Sequence, residues 1–184
     1  MFVETNLVKT SIYTDRIPKD ILEIDYSLIK KKSMDSFNKN LKLNQSDWVY
    51  LYNYYHYDHD INITKLNDYI TSHMKLLLDK KSLILLRGST IIQDKGKTIE
   101  SHQHIDDYNI DHSPDYSVIF VVDHGQKANY VEFEFEGGRQ RHMKRRIFLQ
   151  KSNILLFNSE LKHSFSINEN EEKNIFLSLK YQII

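Results

Sequence analysis

The chain contains no cysteine. That absence removes disulfides, thiolate nucleophiles, zinc–thiolate sites and iron–sulfur clusters together, so any metal must sit on nitrogen and oxygen donors. Net charge is absent too. The 25 Lys+Arg balance 25 Asp+Glu, so bulk attraction to nucleic acid or to an anionic membrane is not implied. No segment is apolar for long enough to span a bilayer. The opening MFVETNLVKTSIYTDRIP carries acidic residues and lacks the apolar core of a secretory signal. A cytoplasmic location is the expectation. No phosphate loop, nucleophile elbow or dinucleotide fingerprint occurs.

What is present is an ordinary globular composition of 184 residues, 40 % hydrophobic and 27 % charged. One domain over 1–184 is expected, with helical support in 1–80 and a β core in 81–184. Pro18 with Asp20 and Glu23 opens a predicted helix to about Lys32. Residues 48–61, WVYLYNYYHYDHDI, form an aromatic block that covers the core or lines an entrance. Leu66, Tyr69, Ile70, His73, Met74 and Leu77 recur at spacings of three and four and predict a second helix with one apolar face. From Ser82 the period changes to two. Strands are expected near 83–87, 89–93, 98–106, 116–123, 129–136, 145–149, 153–157, 163–167 and 174–182, with turns at Ser113-Pro114-Asp115, Gly125, Gly137-Gly138 and 168–170. That pattern predicts a mainly β fold, a sandwich or jelly roll, with the two helices packed outside one sheet.

Within this β half, KTIESHQHIDD (97–107) places His102, His104 and Asp106 two residues apart. On a strand that spacing puts all three on one face. His-x-Asp alone is weak, since His56-Tyr57-Asp58 matches it as well. His104 and Asp106 gain weight from His163, just after the apolar run Ile154–Phe157, and from Lys173 ten residues further on. Two histidines and a carboxylate on a β scaffold are a facial triad, which leaves positions open on Fe(II). A hairpin turning at 168–172 would pair 163 with 177 and set Lys173 on the same side as His163, about 13 Å deeper.

Here the chain resembles the Fe(II)/2-oxoglutarate-dependent oxygenases, in particular the prolyl 4-hydroxylase-like branch and its short phage and bacterial members. The resemblance covers roughly residues 82–184. It implies a double-stranded β-helix (jelly roll) with two supporting N-terminal helices. It further implies Fe(II) on His104, Asp106 and His163, with Lys173 pairing the far carboxylate of 2-oxoglutarate. The implied activity consumes O2, couples oxidative decarboxylation of 2-oxoglutarate to hydroxylation, and acts in a bacterial or phage-infected cytoplasm. The substrate stays open: a prolyl or other peptide side chain, a free amino acid, a modified base or another small molecule. The oligomeric state stays open as well.

Two other readings compete. Gly96 followed by His102-Gln103-His104 matches the opening of a cupin motif, which would use His102, His104 and His163 as metal ligands. Its acid falls at the wrong spacing and Lys173 would have no role, so His102 is expected to lie outside the ligand set or at the entrance. The other reading is a non-catalytic jelly-roll binding module whose histidines are incidental. The basic run Arg139–Arg146 lies beside three glutamates and reads as a charge-balanced strand edge, with no nucleic-acid partner expected.

Overall fold

The computed structural model describes residues 3–7, 10–17, 63–78, 81–105, 113–137 and 141–184, together with 27–28, 30–31 and 34–35. The helix expected over 18–32 lies mostly outside these residues, and the aromatic block 48–61 lies wholly outside them. So do Asp106 and Arg139.

Ten strands and one helix are described: β1 (Val3–Asn6), β2 (Ser11–Arg16), α1 (Ile63–Leu77), β3 (Leu83–Gln93), β4 (Ile99–His102), β5 (Tyr116–Asp123), β6 (Asn129–Gly137), β7 (Arg141–Leu149), β8 (Asn153–Asn158), β9 (Lys162–Phe165) and β10 (Asn174–Ile183). They form two antiparallel sheets, one in the order β1-β2-β8-β5-β10-β3 and the other β4-β9-β6-β7. The fold is a β-sandwich. The strands expected at 83–87 and 89–93 are one strand, β3. Gly88 stands opposite Leu179, and a Cβ there would lie 3.0 Å from the Leu179 Cδ2. Glycine at 88 therefore lets the two strands approach without ending β3.

Residue alternation sorts the core into two layers. Ile119 and Val121 of β5, Leu155 and Phe157 of β8 and Phe176 of β10 meet Ile99, Val131, Phe133 and Phe165 of the smaller sheet between the sheets. The opposite parity, Val118, Phe120, Ile154, Leu156, Leu177 and Leu179, meets Leu66, Ile70 and Met74 of α1 on the outer face of the larger sheet. The spacing of three and four in α1 thus does what it promises: a single apolar stripe covers one sheet. Tyr69 reaches from that helix to the Asp15 carboxylate at 2.5 Å, tying α1 to β2.

The basic edge of β7 is balanced by β6. Lys144 and Arg146 both hold the Glu132 carboxylate at 2.7 Å. At one end of the sandwich a buried amide network brings strand ends and turns together. Gln93 Oε1 accepts from Asn129 and Asn174, each at 3.0 Å, and Asn168 donates to the carbonyls of Gln93 and Glu172. The other end is where the histidines lie.

Candidate metal centre

The site begins with a cross-strand pair. β4 and β9 run antiparallel, with His102 directly opposite His163 and Ile99 opposite Phe165. Along β9 the pattern Lys162 exposed, His163 buried, Phe165 buried puts the imidazole on the inward face. There it packs against Phe157 and Phe133, with ring centroids at 4.8 and 5.8 Å. Four phenylalanines, at 133, 157, 165 and 176, fill the interior around and below it.

His104 is not on the strand as expected. β4 ends at His102, and the following three residues cross toward the larger sheet, where the His104 N–H donates to the Ser159 carbonyl at 2.9 Å. This crossing turns the His104 ring back toward the other two. The three imidazoles lie with centroids 4.4 to 5.0 Å apart, and one ligand atom from each falls within 4.8 Å of the others.

Their hydrogen bonds fix which nitrogen faces the centre. His102 Nδ1 lies 2.8 Å from the Glu100 carbonyl and His163 Nδ1 lies 3.0 Å from the Leu161 carbonyl. A carbonyl only accepts, so each Nδ1 carries the proton and each Nε2 presents a lone pair. His104 Nδ1 meets the Ser117 hydroxyl at 2.8 Å, and that hydroxyl meets Ser159 Oγ at 2.7 Å. The Nε2 atoms of His102 and His104 are 3.2 Å apart. Two nitrogens bound to one metal at about 2.1 Å, at angles between octahedral and tetrahedral, lie about 3.0–3.4 Å apart. The His163 Nε2 is buried with no hydrogen-bond partner. An unsatisfied buried nitrogen is costly, and a cation would satisfy it.

Electrostatics keep these rings neutral. Burial lowers the pKa of His163 to about 3, with the His102 charge adding to the shift. Burial also pushes His104 far down, followed by the charges of Lys180, His163, His102 and Arg87. His102 is shifted down too, chiefly by burial, against the opposing bond to Glu100. Neutral imidazoles are the form that ligates metal. The donor set fits a borderline divalent cation.

The residues singled out from sequence are distributed unevenly. His104 and His163 come together, and His102 joins them. Asp106 lies outside the described residues. Lys173 does not face the cluster, and the hairpin reasoning behind it is corrected: β9 and β10 belong to different sheets, so 163 and 177 are not paired. Lys173 precedes β10 on the parity of Ile175, Leu177 and Leu179, which face α1. It is ion-paired with Asp94, beside the amide network. The basic residue of β10 that reaches the site is Lys180, on the parity of Phe176. It is 3 % exposed, touches His104 Nδ1 and donates to Ser117 Oγ at 3.2 Å. Burial, then the charge of Arg87, pushes its pKa well down. The available signal was a lone lysine at 180 within an apolar strand.

A cavity of about 540 Å³ is lined by Gln103, Phe135, Glu160, Leu161, Lys162 and Thr10 among others. Gln103 lies between His102 and His104 in sequence, and the Leu161 carbonyl accepts from His163 Nδ1, while none of the three histidines lines the cavity.

No protein-family model and no curated protein matches this chain. Solved structures do. A prolyl-4-hydroxylase of Pseudomonas putida superposes with TM-score 0.57 at 9 % identity, covering 93 % of this chain and 84 % of that one. An oxidoreductase of the 2OG-Fe(II) oxygenase family from Burkholderia pseudomallei gives 0.52 at 13 %, over 66 % and 57 %. A non-heme alpha-ketoglutarate-dependent epimerase of nogalamycin biosynthesis gives 0.50 at 11 %, over 65 % and 56 %. The chain thus spans little more than half the length of the last two. The sandwich shares its fold with these structures, and inside it this chain gathers three histidines able to hold a metal.

Proposed function

We propose that residues 1–184 form a single Fe(II)/2-oxoglutarate-dependent oxygenase domain that hydroxylates a peptide, amino acid or other small-molecule substrate. The observation that carries this is the convergence of three neutral imidazoles, one with an orphaned buried Nε2, inside a sandwich whose structural likenesses are such oxygenases. The strand order β3-β10-β5-β8 facing β4-β9-β6-β7 supports reading the sandwich as a double-stranded β-helix.

His104 and His163 would hold the metal, with Asp106, two residues beyond His104, as the carboxylate donor that the resemblance calls for. Bound Fe(II) would supply the activation of O2 and of 2-oxoglutarate. The chain's own part is positional. The Glu100 and Leu161 carbonyls fix two rings and their tautomers. The phenylalanines around His163 keep water from its buried side. Lys180, rather than Lys173, would offer positive charge to a co-substrate carboxylate, with Ser117 and Ser159 as neighbouring hydroxyls. The cavity lined by Gln103 and Leu161 would admit the substrate.

Anaerobic titration of Fe(II) followed by 2-oxoglutarate tests the reading. A visible metal-to-ligand charge-transfer band is expected, and succinate should form once O2 and substrate are supplied. Metal binding with no band and no succinate would favour a cupin-type protein. No metal binding would leave a non-catalytic binding module.

A further inference from the structure

We infer that His102 is itself a metal ligand, so that three imidazoles converge on the metal. This inference rests on the metal-dependent reading above. Sequence spacing relegates His102 to the entrance, but its geometry is that of a matched partner to His163. The two are directly opposed across the β4–β9 ladder, where facing side chains are about 5 Å apart, and their rings are 4.4 Å apart.

The same local device orients both rings. Each Nδ1 donates to the backbone carbonyl two residues before it, Glu100 for His102 and Leu161 for His163. A histidine that merely borders a pocket has no need of a fixed tautomer. A metal ligand does, because the outer hydrogen bond is what aims the Nε2 lone pair. Here it aims two of them at one place.

Without a metal, the contact between the Nε2 atoms of His102 and His104 at 3.2 Å needs a proton on His104 Nε2, and the buried His163 Nε2 still has no partner. One cation satisfies all three at once. Among the described residues the group contains no carboxylate, and Lys180 lies behind His104.

The test uses the whole chain with Cu(II) and Co(II). Pulsed electron paramagnetic resonance of the Cu(II) form counts coordinated imidazoles through their remote nitrogens, and Co(II) titration gives affinity. Three imidazoles are expected in the wild type and two in both His102→Ala and His102→Gln. Co(II) affinity should fall more than about 100-fold in each, beyond the roughly 10–100-fold that loss of an outer-shell partner produces. Asp106→Asn should keep three coordinated imidazoles. Near-ultraviolet circular dichroism of the metal-free variants establishes that the sandwich is intact.

An unchanged imidazole count in both folded His102 variants would overturn the inference, as would a count below three in Asp106→Asn. Absence of any metal binding by the wild type would overturn it together with the metal reading. Three coordinated imidazoles with no 2-oxoglutarate band would uphold it and sink the oxygenase reading alone.

Discussion

Replacing Lys180 with methionine separates what this residue does for the fold from what it does for a ligand. Lys180 is 3 % exposed, and no ion pair to a carboxylate is found for it among the described residues. Its bond to Ser117, at 3.2 Å, is long for a charge-assisted contact. Methionine matches the aliphatic stem in length without the charge. Exchanging buried ionic groups for apolar ones of similar volume stabilises by up to about 4 kcal/mol, and losing the contacts to Ser117 and His104 returns about 2 kcal/mol. A net gain of up to roughly 2 kcal/mol is expected, which for a chain of this size raises Tm by up to about 8 °C. The same variant should bind 2-oxoglutarate about 10–100-fold more weakly, the worth of one charged hydrogen bond of about 1.5–3 kcal/mol. Lys173→Met, changed at the opposite end of the sandwich, should bind it as the wild type does. Urea denaturation of the metal-free protein and calorimetric titration of the Co(II) form supply the two readouts. A Lys180→Met protein that unfolds more easily and binds 2-oxoglutarate normally would refute the reasoning, because the lysine would then be structural.

Gly125→Ala should cost about 2–4 kcal/mol, combining overpacking with a lost hydrogen bond. The new Cβ would lie 2.2 Å from Asn170 Cγ, and that side chain is held by Lys127 N at 2.6 Å and by Asn168 at 3.1 Å. An unchanged urea midpoint would show that the loop yields freely. Co(II) at a hundred times its Kd should stabilise the protein by about 2.7 kcal/mol. Differential scanning calorimetry should show that increment vanish in His163→Ala. Asp123 carries the pH dependence that is simplest to isolate. Burial pushes its carboxyl up, but the Lys30 hydrogen bond and the charges of Lys151 and Lys30 outweigh burial and hold it below its ordinary value. The unfolded chain then binds more protons, so this contribution is present above about pH 3.9 and is lost as pH falls through the folded value. Asp123→Asn should therefore be less stable than wild type near pH 6 by under about 1 kcal/mol, with the gap closing in acid titrations. A gap that widens in acid would reverse the assignment.

Much of the sandwich was legible because its signals are local. The clean alternation of Val131, Phe133 and Phe135 against Glu132, Glu134 and Glu136 marks β6, and the stripe of Leu66, Ile70 and Met74 marks α1. Both follow from side-chain period and need no partner to be identified. Strand extent was less legible. Gly88 reads as a break between two strands, yet β3 runs through it, since the same missing Cβ that weakens a strand also admits Leu179 from β10. His104 was placed on a strand that stops at His102, because the crossing to Ser159 is made by backbone hydrogen bonds that leave no mark in residue type.

The sequence alone determined which chemistry was available. With no cysteine, a metal could only meet nitrogen or oxygen, and His104 and His163 stood out as donors in the β half. Their pairing in space, the recruitment of His102 and the choice between two lysines were decided by tertiary structure. Lys173 and Lys180 both stand at the final strand, and a hairpin from β9 into β10 favoured the first. The chain instead passes from one sheet to the other between them, which reverses the inference about facing. A one-residue change of parity moves a side chain from one face of a sheet to the other, and only the sheet order reveals which parity faces the centre. The physical reason is that strand partners are set by burial summed over the whole sandwich, whereas the alternation within a strand is set residue by residue.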